Sequence, residues 1–185
     1  MKITTKTFFG DFLHIADTFE ISEAQMDEMF TKVKKYPIKK EFDVPFDDLL
    51  FEQLCDLQSI KTAGDLFVKP FSIVLGINTS QLLKYKAVDC LRFIIHTTDE
   101  LKRITGLFSE IEYQPTPEEL QAGIKDMKGD FFDTADWYAQ RMGIKDHDEV
   151  FKTKWIRIYR VMKRDFNSNE FERKLRKVIE RKNKA

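Results

Sequence analysis

Glycine and proline are scarce in this chain, at 7 and 5 of 185 residues. Turn-dense β architectures draw on both, so the shortage favours helices. Two cysteines, Cys55 and Cys90, supply no disulfide framework; each lies in an apolar helical pattern and reads as a buried free thiol. His14, His96 and His147 share no ligand spacing with one another or with the cysteines, and His96 reads as a core or groove residue. The glycines are scattered singly, which excludes a glycine-rich phosphate cradle. No serine stands in a nucleophile-elbow context, and no Cys–His pair is close in sequence. No catalytic residue, metal-ligand set or cofactor is expected, and the chain reads as a non-enzyme. Apolar stretches such as residues 71–77 are far too short to span a bilayer. Met1-Lys2-Ile3-Thr4-Thr5 holds no signal-peptide core, so an intracellular compartment and no membrane partner are expected.

What the chain does have is apolar content of 42% and charge content of 34%, values that suit a globular core. Phenylalanine is abundant, at 17 residues. The length suits one domain or two small helical lobes. Charge is distributed unevenly. Residues 151–185 hold 13 Lys/Arg against 4 Asp/Glu, a net of +9. The whole chain balances at 31 against 31, so residues 1–150 carry −9. Such asymmetry points to an acidic partner, a nucleic acid or a self-complementary assembly.

Periodicity predicts an all-α fold, a compact bundle of seven or eight helices, with a short extended segment over residues 3–9. The first clear helix starts at Ser22, which forms a capping box with Gln25 and precedes Met26, Met29, Phe30 and Val33. A second is expected from Pro45, with Phe46, Leu49, Leu50, Leu54 and Leu57 inward. A third spans residues 65–75, interrupted at Pro70 and ended by Gly76. Asn78 and Thr79 are the next cap candidates, before a long helix over residues 87–108. Gln114-Pro115 marks a break, so an acidic lobe, 1–114, and a lobe ending in basic helices, 115–185, are expected, or one continuous domain. Thr116-Pro117-Glu118-Glu119 is a helix start of cap, first-turn proline and box glutamate. Helices then follow over residues 131–142, closed by Gly143, and over 147–166. After a turn at Asn167-Ser168-Asn169 comes a final helix with Phe171, Leu175, Val178 and Ile179 inward.

Two acidic groups, Asp130/Asp133/Asp136 and Asp146-His147-Asp148-Glu149, invite a cation reading. Each stands at the start of a helix and lacks further ligands at calcium-loop spacing, so N-capping is the better account. The candidate partner-binding surface is the basic face of the last two helices: Lys152, Arg157, Arg160, Lys163, Arg164, Arg173, Arg176, Lys177 and Arg181. Those side chains suit a solvated, solubilising face, an acidic protein surface or, as the alternative partner, the phosphates of a nucleic acid. Few aromatics lie among them for base stacking, which favours protein.

In the order of its segments the chain resembles the tail assembly chaperones and related small morphogenesis proteins of tailed bacteriophages. The residues that carry the resemblance begin with Val44-Pro45-Phe46-Asp47-Asp48-Leu49-Leu50-Phe51-Glu52-Gln53-Leu54 and a helix–Gly76-Ile77-Asn78-Thr79-Ser80–helix element. Glu118-Glu119-Leu120-Gln121-Ala122-Gly123 and Gly129-Asp130-Phe131-Phe132-Asp133-Thr134-Ala135-Asp136 follow, and Phe171-Glu172-Arg173-Lys174-Leu175 ends the match, which spans about 44–180. The resemblance implies a non-enzymatic assembly or virion structural protein. Its partners would be phage structural proteins (tape measure, tail or connector); a second copy of the chain is expected from the matched charge halves alone. Its location would be the host cytoplasm during assembly, or the virion.

Overall fold

Helix ends in this protein are set largely by local hydrogen bonds, and many of these fall at the sequence signals. A computed structural model describes residues 4, 6–18, 22–111, 115, 117–123 and 129–183. Those residues form ten α-helices and two 3-10 turns, with no strand, so the fold is all-α. The helices are α1 (Phe9–Thr18), α2 (Glu23–Val33), α3 (Phe51–Gln58), α4 (Ala63–Leu75), α5 (Thr79–Leu82), α6 (Ala87–Ser109), α7 (Pro117–Gln121), α8 (Phe131–Met142), α9 (His147–Phe151) and α10 (Trp155–Asn183). Ser22 caps α2 in a reciprocal box with Gln25, and Asn78 caps α5 in the same way with Gln81. Gly76 and Gly143 end α4 and α8 at φ of 65° and 69°, a conformation that costs a residue with a Cβ but not glycine.

The chain divides into two compact units, Met1–Leu49 with Gln53–Arg103 and Leu50–Glu52 with Ile104–Ala185. The contacts therefore divide inside α6, between Arg103 and Ile104, where the sequence suggests a break at 114/115. The reason is that α6 continues past this point and its last turns belong with the second unit: Phe108 lies 6.1 Å from the Trp155 ring and 5.5 Å from that of Tyr159. Thr116, the expected cap of α7, and Gln114 lie outside the described residues.

Phenylalanine builds the core of the first unit. Phe9, Phe12, Phe42, Phe71 and Phe93 are fully buried, and Phe71 centres the group, 4.8 Å from Phe93 and 5.7 Å from Phe42. Each burial is worth about 1.5–3 kcal/mol, and offset or edge-on ring pairs add about 0.5–1.5 kcal/mol. Pro70 does not interrupt α4, contrary to the sequence reading. Burial of Phe67 and Phe71 on either side holds the backbone helical despite a penalty of about 3 kcal/mol for an interior proline. The expected extended segment at 3–9 reduces to one bridge, Phe8 to Lys86, Ile3 and Thr5 lying outside the described residues, and α1 begins at Phe9.

Three further helix boundaries differ from expectation. Pro45 opens only a 3-10 turn over Phe46–Asp48; Leu49 is extended, and α3 starts at Phe51. In the second unit Leu50 forms a bridge with Lys154, and the Phe51 amide donates to the Thr153 carbonyl at 2.8 Å. That pairing explains both the late start of α3 and the split of the expected 147–166 helix into α9 and α10. By contrast, Asn167, Ser168 and Asn169 make no turn, and α10 runs straight through them. With no glycine or proline there, the three weak formers cost at most about 0.7 kcal/mol each, less than stopping and restarting a helix.

Candidate protein-docking face

A continuous α10 changes which side its apolar residues take. Each residue turns the helix by about 100°. Trp155, Ile158, Tyr159, Met162 and Phe166 therefore share one side, and this is the packed side: Trp155, Ile158 and Tyr159 are buried, Met162 and Phe166 half-buried. Leu175 comes nine residues after Phe166, a rotation that places it about 180° away. Phe171, Val178 and Ile179 fall beside Leu175. The line of the packed side is continued by Glu170, Arg173 and Lys177, but the packing itself fades there: Glu170 and Arg173 are half-buried, and Lys177, like every described residue from 174 on, is exposed.

The expected inward packing of the terminal apolar residues is thus overturned. Phe171 is 65% exposed, Leu175 45%, Val178 48% and Ile179 48%. They form an open apolar row on the outer side of a helix in full contact with water. A row of this kind marks an interaction site more often than a scattered single residue does.

The same rotation divides the nine basic residues proposed from the sequence. Arg157, Arg160 and Arg164 are exposed and share the outer side with the apolar row, about two to four turns before it. Arg173, Arg176, Lys177 and Arg181 lie mainly towards the opposite side. Arg173 pairs with Glu170 at 2.9 Å and Arg176 with Glu172 at 3.7 Å along the helix. Lys163 sits between the two sets. It donates to the Tyr159 hydroxyl at 3.0 Å, which raises its pKa above the usual lysine value, and its ammonium is 3.5 Å from the Glu110 carboxylate. Lys152 is not on α10; it caps the end of α9. One basic face therefore becomes two: Arg157, Arg160 and Arg164 stand in line with the apolar row, and Arg176 and Arg181 flank it, three residues from Ile179 and Val178.

The acidic groups act as caps. Asp130 accepts from the Phe132 and Asp133 amides at 2.7 and 3.1 Å, and the Asp133 carboxylate accepts from the Asp130 amide at 2.8 Å. Asp146 caps α9 through the Asp148 amide at 2.9 Å. Asp136 is held by His147 at 3.0 Å and Gln140 at 2.6 Å, and Phe132 stacks on the His147 ring at 4.9 Å, joining the starts of α8 and α9. Among the described residues no group of three or more His, Cys, Asp or Glu is placed to hold a metal ion. Cys90 is buried and Cys55 half-buried, and both are free. Burial pushes the Cys55 thiol up to about 12 and raises Cys90 further, which keeps both as weakly reactive thiols. His96 meets the edge of the Phe46 ring at 5.3 Å, as a packed histidine does.

Among the described residues no helix is long and apolar enough to cross a membrane. The chain matches no protein-family model, no curated protein and no solved structure.

The site missed in the sequence is the apolar row itself. Its signal was present: counting onward from Phe166 without a turn puts Phe171 and Leu175 out of phase with the packed stripe.

Proposed function

We propose that this chain is a non-enzymatic assembly or structural protein that binds other protein subunits through the outer side of α10. The observation that carries the reading is the apolar row of Phe171, Leu175, Val178 and Ile179, exposed on the far half of a helix whose first turns, at Trp155, Ile158 and Tyr159, hold the fold. Helix-on-helix docking buries such a row at i, i+4, i+7 and i+8 spacing, and neighbouring arginines steer an acidic partner. The resemblance over residues 44–180 supports a place in building a tailed-phage particle, in the host cytoplasm or within the virion, with tape-measure, tail or connector proteins as partners. A long amphipathic tape-measure chain needs its apolar surface shielded before the tail tube encloses it, and a helical partner supplies that shielding.

Nucleic-acid binding receives less support. A phosphate track needs its cations on one side, and α10 sends Arg157 and Arg164 one way and Arg173 and Lys177 the other.

The test is affinity capture from cells producing the particles, with wild-type chain and the double variant Leu175→Asp/Val178→Asp. The reading expects phage structural proteins with the wild type and their loss with the variant. Recovery of host metabolic enzymes alone contradicts it.

A further inference from the structure

The outer side of α10 asks two things of an occupant: apolar groups for the row, and carboxylates for Arg157, Arg160 and Arg164. The second unit itself offers a surface of that composition. At the starts of α8 and α9, Phe132 is 54% exposed and Phe131 is exposed beside it, with the exposed acids Asp133, Asp148 and Glu149 nearby in those two helical first turns. Residues 104–150 hold 4 Lys/Arg against 11 Asp/Glu, a net of −7 out of the −9 carried by residues 1–150. The acidic complement of α10 is therefore concentrated in its own unit. Yet α10 cannot bring its row there. The row faces about 180° away from the side packed on that unit, and the helix has no break at which to fold back.

We infer that copies of the chain join head to tail, the α10 row of one copy lying on the α8–α9 start of the next. This rests on the reading of the row as a protein-binding face and names its occupant. Side-by-side pairing of two α10 helices is disfavoured, because each carries 10 Lys/Arg against 4 Asp/Glu and the two would repel. The apolar row alone offers a few hundred Å², short of the roughly 800 Å² per partner of a stable interface. The arginine–carboxylate contacts must supply the remainder, so the junction weakens as salt rises. Unlike surfaces meeting in this way produce a ring or an open filament.

Sedimentation velocity on the full chain tests this. Wild type is expected to form species that grow with concentration and shrink with added salt. Leu175→Asp/Val178→Asp removes one surface and Phe132→Ser/Glu149→Lys the other. Each variant alone is expected to be monomeric, with association weakened about a hundredfold or more and with unchanged helical circular dichroism. Mixed in equal amounts, they are expected to form a dimer, since each retains the surface that the other lacks. Three results overturn the inference: a wild type monomeric at every concentration, a mixture that stays monomeric, or a Phe132→Ser/Glu149→Lys variant that assembles as wild type does. The reading of α10 as a partner-binding face is scored separately by affinity capture. A monomeric wild type that still retrieves phage structural proteins through Leu175 and Val178 removes the head-to-tail contact alone, and one that assembles but retrieves none removes only the foreign partner.

Discussion

Phe166 and Leu175 lie on opposite sides of one uninterrupted helix. Phe166 faces the packed interior of its unit and Leu175 faces water, because nine residues at about 100° each amount to two and a half turns. That single phase relation turns what reads as a second core stripe into an open surface, and it makes the surface adjustable by residue count.

Deletion of Asn167 and Ser168 rotates everything after them by about 200°, returning Leu175 to the side of Phe166. The deleted chain should keep its helical circular dichroism and lose its association in sedimentation. A deleted chain that associates as wild type does would show that helix phase is irrelevant.

Stability should divide along the same helix. Leu175→Asp and Val178→Asp alter exposed positions and should change unfolding free energy by about 0.5 kcal/mol or less. Trp155→Ala removes a fully buried ring packed near Phe108 and should cost about 3–5 kcal/mol. Urea unfolding of the three variants measures both.

In the first unit, Thr97 is fully buried and its hydroxyl has no hydrogen-bond partner among the described residues. Valine has nearly the same shape and no polar atom to desolvate. Thr97→Val should therefore raise stability by about 1 kcal/mol, read as a higher urea midpoint with an unchanged slope.

The two cysteines set an alkaline limit. Both thiols have raised pKa values in the folded chain, chiefly from burial. The folded state thus holds protons that the unfolded chain releases above about pH 8.5. Stability from this source is complete below that pH and declines as pH rises towards about 12, the value for Cys55. Unfolding curves from pH 7 to 10 should show a downward trend that flattens in a Cys55→Ala/Cys90→Ala chain.

Much of the fold was legible because its punctuation is local. Ser22 with Gln25, Asp130 with Asp133, Gly76 and Gly143 act within four residues of themselves, so spacing alone reveals them. α1 was also within reach: Phe9, Phe12, Leu13 and Ala16 hold helical spacing that the surrounding threonines obscure. Boundaries set by distant partners were not. Nothing near Leu49 announces that Leu50 and Phe51 will pair with Lys154 and Thr153. Pro70 likewise stays helical through core contacts made by its neighbours. The candidate site depended on one such boundary. Reading Asn167-Ser168-Asn169 as a turn put Phe171 inward, and a continuous helix puts it out.

The central claim is that the Leu175 side of α10 is where another subunit sits, and a photo-cross-linker placed there reads this most directly. Benzoylphenylalanine at position 175 or, as control, at 166 can be irradiated in cells making the chain and the products sized and sequenced. The account predicts that position 175 links to a separate protein chain, with the segment around Phe132 of a second copy among the products, while position 166 links only within its own chain. Exclusive internal links from position 175, or links to nucleic acid alone, would contradict it.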